Sequence, residues 1–269
     1  MLKDVTLGQY FPGSSFIHRL DPRSKLLFTV IYIAALFIAK SWISYCIILA
    51  VFLAMVIVAK IPASALVSGL KPIAFLIVLT AILNLLYQRE GRVLASFWII
   101  TITDQGLIRA GYMILRIMLL IMGTLMLTYT TTPLAITDGM EKLLSPLKRI
   151  RFPVHELSMM MSIALRFIPT LIEETDKIMN AQKARGADFE TGRLTQRAKA
   201  LLPLLIPLFV SAFRRADELA TAMESRCYNG GDGRTRMSVL KMSGADLGFL
   251  AFSAFMLATI IFLAVRFGI

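Results

Sequence analysis

The chain has 269 residues, of which 57% are hydrophobic, and it carries a formal net charge of +12 at pH 7. So apolar a composition at this length excludes an ordinary soluble domain and predicts an integral membrane protein. The positive charge fits the excess of Lys and Arg in the cytoplasmic segments of membrane proteins, so we expect contact with membrane lipid and no nucleic-acid partner.

The first two apolar runs predict a membrane hairpin. Residues 25–39 and 42–59 are apolar throughout, and only two residues separate them. A helix of about 20 residues spans ~30 Å of hydrocarbon, so each run is about long enough to cross a membrane. Asp21 and Pro22 predict the start of the first helix, with Asp as the N-cap and Pro at the first helical position.

Three more spans are predicted at residues 71–87, 107–130 and 245–265. The segment 93–103 is rich in β-branched and aromatic residues, which indicates a short external hairpin or an interfacial segment. Residues 133–241 are dense in charge and contain no apolar run of sufficient length. The expected fold is therefore an all-α integral membrane protein with about five transmembrane helices and a cytoplasmic helical domain.

That domain is predicted to contain two long amphipathic helices, at residues 153–185 and 195–228. Thr195 is expected to be the N-cap of the second helix. The adjacent Glu173 and Glu174 are expected to lie on a solvated helix face. Three prolines inside these helices are expected to kink or split them: Pro169, Pro203 and Pro207.

The predicted organisation has three parts: an N-terminal segment with four spans (1–132), the cytoplasmic domain (133–243) and a final span (244–269). The apolar run 201–213 is too short to cross, so we expect it to pack under the membrane helices. Basic residues around the first spans place the N-terminus and the helical domain in the cytoplasm by the positive-inside rule. They are Arg19, Arg23, Lys25, Lys60 and Lys71.

Each long helix brings an arginine close to a glycine near its C-terminal end. The first ends in Ala184-Arg185-Gly186, and Arg226 lies 41 residues after Arg185. A glycine there accepts the left-handed conformation, and a cation complements the partial negative charge of the helix end, so one such end is explained as a cap. Two such ends in one domain favour a binding role, since the planar fork of arginine suits acidic side chains and carbonyl oxygens in a partner's groove.

These residues also carry a family resemblance. Ala184-Arg185-Gly186 matches the Ala-Arg-Gly signature of the T component of energy-coupling factor (ECF) transporters, which are ABC-type importers. Residues 8–25, 130–133 and 216–220 also look like that family, so the resemblance extends over essentially the whole chain.

The resemblance implies a non-catalytic scaffold in the cell membrane. Such a subunit couples ATP hydrolysis by two ATPase subunits to uptake of a vitamin or micronutrient by a substrate-binding membrane subunit. It further implies that two coupling helices cross beneath the membrane. Arg185 and Arg226 would then each enter a groove on one ATPase.

The second helix end departs from the family signature, because Ser225-Arg226-Cys227 stands in place of Ala-Arg-Gly. Cysteine incurs a steric cost in the left-handed region that glycine does not. We therefore expect the second helix to continue through Tyr228 and to end at residues 229–230.

Arg116 is the unusual residue of the fourth span. An arginine near the centre of a membrane helix costs roughly 2.5–3.5 kcal/mol even on the translocon scale, so it is expected to face protein or water. Asn84 is the candidate partner in a neighbouring span. A contact with substrate is less favoured, because the residues around Arg116 are apolar or small.

Other function classes find less support in the residues. The sequence has no Gly-x-x-x-x-Gly-Lys-Ser/Thr phosphate loop, and its two histidines, His18 and His155, are isolated, so we expect no bound ATP, metal or other cofactor and no enzymatic activity. The alternative is a stand-alone channel or secondary carrier. It predicts polar residues at mid-membrane and broken spans, and the first four spans offer only Asn84 and Arg116.

Overall fold

The computed structural model describes residues 10–87, 92–97, 100–187, 189, 194–230 and 240–267. Within them the chain forms α-helices and one short β-hairpin. The elements are α1 (Phe16–Arg19), α2 (Pro22–Ile38), α3 (Trp42–Ala59), α4 (Ala63–Leu70), α5 (Ala74–Tyr87), β1 (Val93–Phe97), β2 (Ile100–Thr103), α6 (Asp104–Thr130), α7 (Pro133–Leu144), α8 (Val154–Ala184), α9 (Leu194–Ser225) and α10 (Gly244–Phe267).

Four helical segments among the described residues are long and apolar enough to cross a membrane, which confirms a helical membrane protein. They are Trp42–Ala59, Ala63–Leu85, Asp104–Thr130 and Gly244–Arg266. The fifth predicted span, α2, has 17 residues and is therefore only about 26 Å long. It starts where predicted, since the Asp21 side chain accepts a hydrogen bond from the Arg23 N–H at 2.9 Å and Pro22 follows.

Two boundaries differ from the sequence-based expectation. The third helical segment begins at Ala63 in place of residue 71, because α4 continues into α5 through a 3₁₀ turn at Lys71–Ile73. Pro72 in that turn lacks a backbone N–H, which the tighter turn accommodates. The segment 93–103 contains a hairpin, one of its two predicted forms: β1 and β2 are antiparallel, with Phe97 opposite Ile100.

The charged part of the chain contains the two long helices that were predicted. α8 has 31 residues and α9 has 32, and each runs continuously through its prolines, so the prolines do not split them. The prediction that Thr195 caps α9 is wrong, because the helix already begins at Leu194. Residues 190–193, which precede it, lie outside the described residues.

The chain divides into two compact units. One comprises Gly8–Met140 with Leu240–Ile269 and contains all four candidate spans. The other comprises Glu141–Val239 and contains α8 and α9. We call them the membrane unit and the helical unit.

Buried tyrosines form much of the core of the membrane unit. The Tyr32 hydroxyl donates to the Leu119 carbonyl at 3.1 Å, and the Tyr129 hydroxyl donates to the Ala65 carbonyl at 3.1 Å. A buried hydroxyl costs free energy unless it is hydrogen-bonded, so each of these bonds ties two helices together at a defined depth. The tyrosines therefore fix α6 against α2 and α4.

One buried carboxylate joins the starts of α2 and α10. Asp246 is 2% exposed; its Oδ1 accepts from the Asp21 N–H at 2.7 Å, and its Oδ2 accepts from the Ser243 N–H at 2.8 Å. Lys25 Nζ, one turn into α2, donates to the Thr130 carbonyl at the end of α6 at 3.0 Å. Buried charges need such partners, and here they connect three helix ends.

Gly123 of α6 supports a matched test of this packing. A Cβ at Gly123 would lie 2.2 Å from Cε1 of the buried Tyr32, whereas a Cβ at Gly111 of the same helix meets nothing within 4 Å. We expect Gly123→Ala to destabilise the protein by about 1–3 kcal/mol, as overpacked cores do, and Gly111→Ala to be neutral or slightly stabilising. Thermal unfolding in detergent, followed by intrinsic fluorescence, measures both. Equal shifts in the two variants would contradict this packing.

Candidate functional site: two arginine-bearing helix ends

The end of α8 is a Schellman motif. The Gly186 N–H donates to the Lys183 carbonyl and the Ala187 N–H donates to the Gln182 carbonyl, both at 3.0 Å. Gly186 has φ +88°, the left-handed conformation that this motif requires and that glycine adopts without steric cost. The predicted glycine cap is confirmed.

The end of α9 has the same hydrogen-bond pattern with a different residue at the turn. The Cys227 N–H donates to the Glu224 carbonyl at 2.8 Å and the Tyr228 N–H donates to the Met223 carbonyl at 3.0 Å. Cys227 itself has φ +54°. The expectation that the helix continues through Tyr228 is therefore wrong.

The hydrogen bonds explain why cysteine adopts a conformation that it normally avoids. The left-handed region costs an L-residue roughly 1–2 kcal/mol, and the two backbone bonds of the motif satisfy carbonyls that the helix end would leave without partners. In addition, the Tyr228 hydroxyl lies 3.1 Å from the Met159 sulfur on α8, which holds the chain beyond the turn.

The two ends present their arginines to solvent in the same way. Arg185 and Arg226 each occupy the residue directly after the last helical turn. Neither guanidinium has a hydrogen-bond partner among the residues the structure describes. The six residues predicted to form the site are all exposed: Ala184, Arg185, Gly186, Ser225, Arg226 and Cys227.

The structure also connects the two helices through a carboxylate that the sequence analysis placed on a solvated face. Glu174 of α8 accepts from the Ser211 hydroxyl on Oε1 at 2.5 Å and from Arg215 Nη2 on Oε2 at 2.9 Å, both on α9. Only Glu173, its neighbour, is exposed as expected. We call Glu174, Ser211 and Arg215 the clasp.

The clasp favours the charged form of its carboxyl group. The hydrogen bond from Ser211, together with the bond and charge of Arg215, holds the pKa of Glu174 below its usual value, against the opposing effect of burial. Because the pKa is lower in the folded state, the clasp stabilises the fold above the pKa of the unfolded chain. That stabilisation is lost as the pH falls through the lower, folded value.

The distance along the helix from the clasp to the arginine at the helix end is the same in α8 and α9, and we call each of these two segments an arm. Glu174 and Arg185 are 11 residues apart, and so are Arg215 and Arg226. At 1.5 Å per residue, each arginine lies about 16 Å along its helix from the clasp. The contact from Tyr228 to Met159 shows that α9 runs antiparallel to α8, so the two arms extend in opposite directions from the clasp.

One face of α9 is apolar and open. Its side chains line a groove of about 1020 Å³ that includes Ile206, Phe209, Val210 and Phe213, each more than 60% exposed. The packing of residues 201–213 under the membrane helices stays a prediction, because these residues and those helices belong to different units. We call this surface the α9 groove.

The intramembrane polar residues are in the membrane unit and are not part of this site. Arg116 bonds to a neighbouring helix, as expected, but through Tyr45 and Ala39: Nε donates to the Tyr45 hydroxyl at 2.9 Å and Nη2 to the Ala39 carbonyl at 3.0 Å. The predicted partner, Asn84, donates to the Thr80 carbonyl of its own helix at 2.9 Å.

Sequence reasoning missed Glu174, Ser211 and Arg215 as members of the site. Glu174 and Arg215 are 41 residues apart, which is the same separation as that of Arg185 and Arg226. In antiparallel helices an equal separation does not predict a contact, so the sequence offered no signal that this carboxylate and this guanidinium meet.

Comparison with known proteins shows that most of the chain is similar in sequence to one family. The family model CbiQ, described as cobalt transport protein, matches residues 13–238. The chain is 55% identical over 247 residues to the energy-coupling factor transporter transmembrane protein EcfT of Clostridium kluyveri, covering 91% of this chain and 92% of that protein. It is 46% identical over 262 residues to the protein of the same name from Bacillus subtilis, covering 97% and 98%.

Proposed function

Because this chain belongs to the CbiQ family and is a T component of energy-coupling factor transporters, we propose that it transmits ATP-driven motion within that transporter. As a T component it is a membrane subunit of a multi-subunit complex. In our proposal its partners are two ABC-type ATPase subunits and one substrate-binding membrane subunit. The chain itself catalyses no reaction.

The observation that carries this proposal is the pair of matching helix ends. Both end in the same backbone motif, and both expose an arginine without a hydrogen-bond partner among the described residues. A guanidinium offers five N–H donors in a fixed plane, which suits a groove lined by carboxylates or carbonyl oxygens. We assign one groove, on one ATPase subunit, to each of Arg185 and Arg226.

The clasp supports a mechanical role for α8 and α9. Coupling requires contacts whose free energy differs between two states of the partner. When the two ATPase subunits approach each other, they would move the arginines at opposite ends of a pair of helices joined at Glu174. Because the clasp joins α8 to α9, the two helices would move together when either arginine is displaced.

The α9 groove supports a third contact. An exposed apolar face on a charged helix is unfavourable in water and favourable against an apolar partner. In our proposal the substrate-binding membrane subunit covers Phe209 and Phe213, and it receives the movement of the helices there. That subunit, and not this chain, would hold the vitamin or other micronutrient.

We infer the direction of insertion from the distribution of charge. Arg19 ends α1, Arg23 and Lys25 lie in the first turn of α2, and the helical unit carries many more charges. The positive-inside rule therefore favours an N-terminus and a helical unit in the cytoplasm, where ATPase subunits can reach Arg185 and Arg226.

Co-purification from detergent tests the proposal. The tagged wild-type chain is expected to retain two ATPase chains, whereas the double variant Arg185→Glu/Arg226→Glu is expected to lose both and to remain in the membrane fraction. A wild-type chain that purifies alone and transports a solute in vesicles would instead identify a stand-alone carrier. Retention of both ATPase chains by the double variant would contradict the assignment of the grooves.

A further inference from the structure

A cavity at the opposite end of the helices from Lys25 carries a concentration of positive charge that the proposed coupling does not use. It has a volume of about 350 Å³ and lies where α2 and α5 end and α3 begins, beside the second to fourth turns of α6. Lys40, Arg109 and Arg116 line it, and no acidic side chain is among its described lining residues. Pockets of 300–1,000 Å³ are of the size that binds small ligands.

The Arg116 guanidinium is held in a fixed position at this cavity. Its bonds to the Tyr45 hydroxyl and the Ala39 carbonyl use two of its five N–H donors, and its Cζ lies 5.9 Å from the centre of the Tyr45 ring. The remaining donors have no hydrogen-bond partner among the described residues. A fixed fork with unused donors is suited to a phosphate group, which it can contact through two parallel hydrogen bonds.

The surrounding aromatic residues indicate the depth of the cavity. Trp42 at the start of α3 packs on Tyr112 with ring centroids 4.8 Å apart, and the Trp42 side chain is 56% exposed. Tryptophan and tyrosine concentrate at the level of the lipid headgroups, where one part of each ring is apolar and another is polar. The cations therefore lie where a headgroup, rather than an acyl chain, is next to the protein.

We propose that this cavity binds the phosphate group of an anionic phospholipid. The lipid belongs to the leaflet in which α6 begins. Arg116 provides the fixed fork, and the exposed Lys40 supplies a second positive charge. A headgroup of net negative charge is attracted to both Arg116 and Lys40, whereas the cation of a zwitterionic headgroup is repelled by them. The site therefore discriminates phosphatidylglycerol from phosphatidylcholine.

Native mass spectrometry of the full chain tests this, after delipidation and addition of phosphatidylglycerol, phosphatidylcholine or inorganic phosphate. We expect phosphatidylglycerol to remain bound at concentrations where phosphatidylcholine does not. Lys40→Gln removes a charge without breaking a hydrogen bond described in the fold. Because a cation near a membrane surface contributes about 1 kcal/mol toward an anionic lipid, this variant is expected to weaken phosphatidylglycerol about fivefold.

Lys71→Gln is the matched control, since Lys71 is also exposed but does not line the cavity. It is expected to bind phosphatidylglycerol as the wild type does. Equal retention of the two lipids, or equal weakening by the two lysine variants, would overturn the proposal. Displacement of the lipid by millimolar inorganic phosphate would show a site for soluble phosphate and would also overturn it. Lipid binding is independent of ATPase docking, so this test stands whatever becomes of the proposed coupling.

Discussion

Reversing the charge of Arg185 is expected to abolish ATP-driven uptake while leaving the protein folded and inserted in the membrane. The cap of α8 consists of backbone hydrogen bonds, and the Arg185 side chain contributes none of them. Arg185→Glu therefore leaves the helix end intact and places a negative charge where the proposed groove is acidic or lined by carbonyl oxygens. Uptake of radiolabelled substrate by proteoliposomes that contain the complete transporter measures the effect.

Arg166→Glu is the control for this variant. Arg166 is an exposed arginine of the same helix, and it lies about 28 Å from Arg185 along the helix axis. The same charge reversal there is expected to leave uptake close to the wild-type rate. Wild-type uptake by Arg185→Glu would refute the role of this helix end, and an equal loss in both variants would show that the net charge of α8 matters instead.

Removing the clasp carboxylate is expected to uncouple ATP hydrolysis from transport. Glu174→Ala leaves the Arg215 guanidinium and the Ser211 hydroxyl without their partner, and hydrogen bonds to a charged group contribute about 1.5–3 kcal/mol. Arg185 and Arg226 are unchanged, so the ATPase subunits are expected to stay bound. The two arms are then no longer held together. Because about 1.4 kcal/mol corresponds to a factor of ten, we expect loss of the clasp bonds to lower uptake per ATP hydrolysed roughly tenfold or more.

Glu173→Ala is an unusually close control, because Glu173 is the adjacent residue, is exposed and has the same side chain. It is expected to leave the ratio of uptake to hydrolysis unchanged. The exchanged pair Glu174→Arg with Arg215→Glu is expected to restore part of the coupling, since opposite charges again face each other. If both alanine variants transport equally well, the clasp does not transmit motion.

The sequence alone predicts the helices and the position of the two arginines, because these depend on local patterns. Asp21 with Pro22 starts α2, and Gly186 ends α8, through interactions between residues at most five positions apart. Such interactions can be recognised in a linear sequence.

The sequence does not predict features that depend on contacts across the fold. Glu174 looks like an ordinary surface carboxylate until α9 brings Ser211 and Arg215 against it. Cys227 is held in the left-handed region by bonds of the helix end, against its own preference. The partner of Arg116 had to be on a neighbouring helix, but only the packing of α3 on α6 selects Tyr45 over Asn84.

The chain has two cysteines, Cys46 and Cys227, and both thiols are free and exposed. Cys46 lies in the apolar helix α3, whereas Cys227 is adjacent to Arg226 at the tip of α9. A single exchange, Cys46→Ser, therefore leaves one native attachment point for a maleimide reagent, beside the very side chain assigned to an ATPase groove. The alkylation rate of that thiol can serve as a built-in reporter of whether the tip is covered, in the assembled transporter and without any engineered label site.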